Sequence, residues 1–164
     1  ELEFVNKSHI ADKIIRLEWD DLQLLKLINK RMMQSGDVLE YIEKSTSKDL
    51  SPENVEDYNL STQKEIFYSV FEDQVYSGPK EADSFDWMTK RIKDGKGGRY
   101  PRELITFCNE SVKEEMKSED HPEDCLIGGL SIRDAYYTLS QKRVNTYLSE
   151  FEELKAPSTR RGRT

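Results

Sequence analysis

The sequence predicts a mainly α-helical domain, a bundle of several helices with a short extended segment at its start. Three observations carry this. Apolar residues recur at helical spacing in at least five separate runs. Most of these runs begin at a capping residue or a proline and end near a glycine. The hydrophobic and charged shares are both 35%, a balance that suits thin amphipathic stripes.

Residues 1–19 open as Glu-Leu-Glu-Phe-Val and turn around Asn6-Lys7-Ser8. Ile15, Leu17 and Trp19 then alternate with Arg16 and Glu18, the period of a short strand. A lone strand is not stable, so this one needs a partner. Asp20 caps a helix that runs to about Gln34, with Leu22, Leu25, Ile28 and Met32 as its stripe and Leu24 and Leu27 widening it. Ser35-Gly36 ends it, and Asp37 starts a shorter helix carrying Val38, Leu39, Tyr41 and Ile42. Residues 45–61 are polar and read as a loop with a helical turn near Glu53–Tyr58.

Thr62-Gln63-Lys64-Glu65 is a capping-box pattern ahead of Ile66, Phe67, Val70 and Phe71, a helix to about Asp73. Val75-Tyr76-Ser77-Gly78-Pro79 breaks it. Ser84 caps the next helix, which buries Phe85, Met88 and Ile92 and carries Trp87 and Arg91 on its flank. Gly95 closes that helix and opens Gly95-Lys96-Gly97-Gly98-Arg99-Tyr100-Pro101-Arg102-Glu103-Leu104. So many glycines cannot be a helix interior, and Pro101 reads as a first-turn residue.

Leu104, Ile105, Cys108, Val112 and Met116 follow on one face. Arg102 lies on a polar stripe with Thr106, Asn109 and Lys113. Residues 117–130 are an acidic loop ending in Gly128-Gly129, and Ser131-Ile132-Arg133-Asp134 looks like a second capping box. The last helix, Ile132 to Leu154, is about 34 Å long and carries Tyr136, Leu139, Val144, Tyr147 and Phe151 on roughly one face. The expected core includes Leu25, Ile28, Phe67, Phe71, Met88, Ile92, Leu104, Ile105, Cys108, Val112 and Tyr136. The domain is thus expected at 20–154, with a basic flexible tail at 155–164 holding Lys155, Arg160, Arg161 and Arg163.

Several function classes are disfavoured. A net charge of −7 opposes a general nucleic-acid or membrane binder. There is no apolar run of about 18 residues and no signal-peptide pattern. Two cysteines, Cys108 and Cys125, fit a reduced, cytoplasmic setting, and Cys108 reads as a small buried hydrophobe. His121 with Asp120, Glu123, Asp124 and Cys125 lacks a second ligand pair at zinc spacing. Glu114/Glu115 and the acids after them sit in a polar segment, where carboxylates are not driven apart in pKa as acid–base catalysis needs.

The stretch 95–104 is cationic and ends at a helix N-terminus, where free backbone N–H groups attract anions. It lacks the Gly-x-x-x-x-Gly-Lys-Ser/Thr string of a Walker A loop. It reads either as a plain connection, with Arg102 and Glu103 solvated, or as an anion-contacting end.

The order of the pieces resembles a known family. Arg16-Leu17-Glu18-Trp19-Asp20 leads into a Leu-rich helix ending in Arg31-Met32. Trp87 and Arg91 precede Asp94-Gly95-Lys96-Gly97. Pro101-Arg102-Glu103-Leu104-Ile105 and Asn109 follow, then Ser131-Ile132, Ala135, Ser140 and Arg143 to Glu150. Over residues 2–154 this looks like the C-terminal helical half of a bacterial P-loop ATPase of the AAA+/STAND type. The absent initiator Met agrees with a fragment of such a protein.

The resemblance implies a lid that couples nucleotide state to a partner, with residues 1–19 joining a missing nucleotide-binding core. It places Arg102 as the sensor 2 arginine that reaches the nucleotide phosphates, with Lys96, Gly97, Gly98, Arg99 and Pro101 as its supporting loop. Tyr100 departs from the small residue many relatives carry before the proline. ATP and Mg would belong to the intact parent, and this chain alone should hold neither and hydrolyse nothing. The implied partners are the nucleotide-binding core and an oligomer or effector protein. The glycine loop is expected to let the preceding helix swing while the Arg102 helix stays put. A different class, a free-standing helical module that binds protein or, less readily, nucleic acid, remains open on the basic tail and the long last helix.

Overall fold

The computed structural model describes residues 18–76, 82–93 and 98–155, with side chains to 151. These residues form six α-helices and one 3-10 helix: α1 Asp21–Met32, α2 Gly36–Thr46, the 3-10 helix Pro52–Asp57, α3 Leu60–Val70, α4 Ser84–Arg91, α5 Pro101–Glu115 and α6 Gly129–Lys155. The mainly helical class expected from the sequence is what they adopt, with no strand among them. Ile15 and Leu17 lie outside the described residues, as do Gly95 and the tail from residue 156.

The helix starts show which local signals win. Asp20 caps α1 by a full capping box: its carboxylate accepts from the Gln23 N–H, and the Gln23 side chain accepts from the Asp20 N–H. Thr62 is not a cap. α3 begins three residues earlier because Asn59 accepts from the Thr62 N–H. Likewise Asp83, not Ser84, caps α4 through the Asp86 N–H. Ser131 sits inside the first turn of α6 and is buried, so it is no cap either. α3 ends at Val70, short of Asp73, because the chain there pairs sideways: the Val70 carbonyl accepts from the Leu126 and Ile127 N–H groups, and Glu72 N–H donates to Ile127.

Two layers of core follow. The inner one packs α1, α3 and α4 around Phe67, whose ring stacks on Phe71 at 4.7 Å and meets Phe85 edge-on at 5.2 Å. Buried amides fix its register: the Asn29 amide donates to the Gln63 carbonyl and side-chain oxygens, each at 2.7 Å, and the Gln63 amide donates to the Val55 carbonyl of the 3-10 helix. The outer layer packs α4 and α6 on α5 through Trp87, Phe107 and Tyr136.

Three stripes are rotated from the sequence expectation. On α1, Leu24, Leu25, Ile28 and Asn29 are buried, while Leu22 is at the surface. On α5, Leu104, Phe107, Cys108, Ser111 and Glu115 face inward, and Ile105 is half-buried. Val112 is 42% and Met116 80% exposed, because α6 packs on the Phe107 side of α5 through Tyr136, while Val112 and Met116 border an open hollow. On α6 the expected single face splits. Ile132, Ala135, Tyr136 and Leu139 meet the bundle, whereas Val144, Tyr147 and Phe151 are exposed. α5 has 15 residues and α6 has 27, about 22 Å against about 40 Å, so α5 cannot cover α6 along its whole length.

The rotated α5 face has a direct check. Phe107→Ala should cost about 3–5 kcal/mol in chemical denaturation. Val112→Ala should stay within about 0.5 kcal/mol of wild type. Equal losses would mean that Val112, not Phe107, faces the core.

Candidate functional site

The site implied by the sequence lies where α5 begins. Tyr100 is the N-cap position without a side-chain cap bond, and Pro101 fills the first turn. Arg102 follows, exposed, with Thr106 donating its hydroxyl to the Arg102 carbonyl. Thr106, Asn109 and Lys113 are exposed on the same side, so the polar stripe forms as expected. Among the described residues the Arg102 guanidinium has no ion pair.

Its neighbours are differently placed. Arg99 is only 20% exposed and pairs at 2.5 Å with Asp21, which ties the loop's end to the first turn of α1. Gly98 is described and half-buried, and Lys96 and Gly97 lie outside the described residues. Glu103 pairs with Arg143 of α6. The structure therefore brings Arg99, Pro101 and Arg102 to one end of the bundle, and among the described residues it is Arg99 whose side chain is held there by an ion pair.

Beside this end lies an open cleft of about 730 Å³ lined in part by Lys93, Tyr100, Glu103, Lys142, Arg143 and Tyr147. Lys142 bonds at 2.9 Å to Glu110, whose carboxylate is nearly buried. That bond, with Lys113 adding to it, outweighs burial and holds Glu110 below the usual carboxylate range.

Trp87 and Arg91 are not on an outer flank. Trp87 is 5% exposed and packs edge-on against Tyr136 at 5.4 Å. Arg91 lays its guanidinium over the Trp87 ring at 3.5 Å and donates to the Trp87 carbonyl. Swinging α4 away would withdraw Trp87 from its ring contacts with Phe107 and Tyr136.

The acidic loop conceals a second polar node that the sequence reading missed. Glu115 reads as a solvated carboxylate but is 6% exposed. It accepts from the Gly128 N–H at 2.8 Å and meets His121 Nδ1 at 2.8 Å. Burial raises its pKa, yet the Gly128, His121 and Ser131 hydrogen bonds together prevail and leave it below the ordinary glutamate value. Glu72 accepts the next N–H, of Gly129, at 2.6 Å. Two carboxylates thus sit at the positive end of the α6 dipole. A spacing signal for Glu115 existed, four residues after Ser111 and seven after Cys108, but only an apolar residue is readily assigned inward.

Next to this node is a largely apolar hollow of about 600 Å³ bounded by Met32, Phe71, Cys108, Val112, Cys125 and Ile127. Burial pushes the Cys108 thiol up to about 12 and Cys125 up to about 11, so neither is a thiolate nucleophile near neutrality. No group of three ligating side chains that could hold a metal occurs among the described residues, and His121 of the loop faces Glu115. No helix of the described residues is long and apolar enough to cross a membrane.

No family model matches this sequence, and no curated protein or solved structure is significantly similar to it.

The Glu115 node sets a pH dependence. A depressed carboxylate contributes stability above its unfolded pKa and loses it as pH falls through the folded value. Thermal melts of wild type and Glu115→Gln should therefore differ most near neutrality. The gap should close as pH is lowered through and beneath the ordinary glutamate value of 4.5. A gap that is constant with pH would mean that Glu115 acts by shape alone.

Proposed function

We propose that this chain is the C-terminal lid, or regulatory module, of a P-loop ATPase of the AAA+/STAND type, with Arg102 contacting the nucleotide phosphates. One observation supports the reading best. Arg102 is an exposed arginine without an ion pair among the described residues, one residue inside a helix whose Leu104, Phe107 and Cys108 are locked in the core. Its base is rigid, and its head is uncommitted among the described residues. A guanidinium is permanently charged and binds phosphate oxygens bidentately, which suits sensing whether a γ-phosphate is present.

On this reading, ATP and Mg reside on the nucleotide-binding core, the Arg99–Asp21 pair keeps the loop in place, and the setting is the cytoplasm of a bacterium. The sequence has no Walker A string, and among the described residues no three ligating side chains could hold a metal, so on this reading hydrolysis belongs to the whole protein. The alternative, a free-standing helical binding module, draws on a different observation, the exposed outer side of α6.

The test has two arms. The chain alone, titrated with ATP in a calorimeter, should show no micromolar binding, and micromolar affinity would overturn the lid reading. In the protein that contains it, Arg102→Ala and Arg102→Lys should each lower ATP turnover about tenfold or more. The fold of both variants should be stable within about 0.5 kcal/mol of wild type. Turnover and nucleotide affinity that are unchanged in Arg102→Ala would make Arg102 a surface arginine.

A further inference from the structure

Toward the end of α5 opposite Arg102 lies the largely apolar hollow of about 600 Å³. Five parts of the chain wall it: the end of α1, the start of α2, the end of α3, one side of α5, and the 121–127 segment. Its volume falls in the range of about 300–1,000 Å³ typical of small-molecule sites. Val112, Met116 and Leu126 stand exposed around it, so large apolar side chains face water together there. Both cysteines and two of the four methionines also line it. Methionine is flexible, and a thiol kept neutral by burial packs as a small hydrophobe, so these walls can adapt to an apolar body. Aliphatic and sulfur side chains make up most of the wall, which suits an alkyl chain.

The rim gives the head group. Arg31 lines the hollow, is exposed, and has no ion pair among the described residues. Four residues on, Ser35 is the N-cap of α2, and its hydroxyl makes no capping bond. The first-turn N–H groups of α2 and the helix dipole add positive potential at that place. Asp37, in the same turn, is exposed and is not part of the lining. Among the described lining residues Glu115 is the one acid, and its two oxygens are taken by the Gly128 N–H and by His121. An arginine and a histidine therefore stand against a single engaged carboxylate. The rim favours an anion, although the chain carries −7 overall. A second copy would bring that same charge and set hollow against hollow, which fills neither.

We propose that this hollow binds an apolar monocarboxylate of the fatty-acid class, with its alkyl chain among Met32, Phe71 and Cys108 and its carboxylate at Arg31 and the start of α2. A guanidinium holds a carboxylate by two parallel hydrogen bonds, and the Ser35 hydroxyl can donate a third. The site shares no residue with the Arg102 end, so it stands apart from the nucleotide reading.

Calorimetric titration of the full chain with decanoate tests this. Binding should be saturable, one to one and micromolar. Decanol, with the same chain and no charge, should bind about tenfold more weakly. Arg31→Gln should weaken decanoate about tenfold and leave decanol unchanged. Val112→Trp, at an exposed position on the hollow, should abolish binding of both with an unchanged helical spectrum. No saturable binding of decanoate up to about 1 mM overturns the proposal. So does binding that Val112→Trp leaves intact, or an Arg31→Gln variant that treats decanoate and decanol alike relative to wild type. A ligand-free chain that sediments as a dimer, and that Val112→Trp renders monomeric, makes a second copy the occupant and overturns it too.

Discussion

The turn that reverses the chain from α5 into α6 is held by two carboxylates and a lack of space. Glu115, at the end of α5, accepts the Gly128 N–H, and Glu72, just past α3, accepts the Gly129 N–H. A Cβ on Gly129 would lie 2.4 Å from the Gln74 carbonyl oxygen, so the backbone approaches there as only glycine allows. Three distant parts of the sequence therefore converge on one helix start. The direction of α6 is set here, and with it the meeting of Tyr136 with Trp87 and Phe107 and the pairing of Arg143 with Glu103. The energetics favour acids at this place, since unsatisfied N–H groups and the helix dipole are both positive there.

The two core layers are specified by different physics. Around Phe67 the packing is apolar, but Asn29 and Gln63 are both fully buried and bonded into three elements. Such amides add little net stability, yet leaving one unpaired costs the full desolvation of the group, so misregistered packings are penalised. Around α5 and α6, ion pairs do the sorting. Lys142 to Glu110 crosses the interface with one partner nearly buried, whereas Arg143 to Glu103 is open to solvent and weak by comparison.

These arrangements explain what could be read in the sequence. Asp20 and Pro101 were legible because capping and first-turn proline are local effects. Leu25, Ile28, Phe67, Phe71, Met88, Ile92, Leu104 and Cys108 were legible as core from periodicity. Thr62 misled because a capping box matches several registers, and Asn59 offers a better one just upstream. Val112 misled because an apolar stripe admits two rotations about the helix. The true one sets the polar Ser111 and Glu115 inward, where the Phe107 carbonyl and the Gly128 N–H satisfy them. That pairing is tertiary, so no local pattern reveals it. At the Arg102 end, the exposed polar stripe was legible, but the Arg99–Asp21 pair spans most of the domain's sequence and was not.

The pinning of both flanks of the glycine loop changes how the proposed lid would work. On one side Arg91 lies on Trp87, and Trp87 is wedged against Phe107 and Tyr136. On the other, Arg99 is clasped to Asp21. α4, α5 and α6 share one aromatic layer, and α1 is joined to its edge. A force on Arg102 therefore acts on helices joined by the Trp87–Phe107–Tyr136 ring contacts. Rotating α4 alone would expose Trp87 and leave a void beside Phe107, each costing several kcal/mol. Displacing the bundle as one body breaks none of these contacts. If Arg102 meets a phosphate, the response then falls at the junction with the nucleotide-binding core, and the outer face of α6 moves with it.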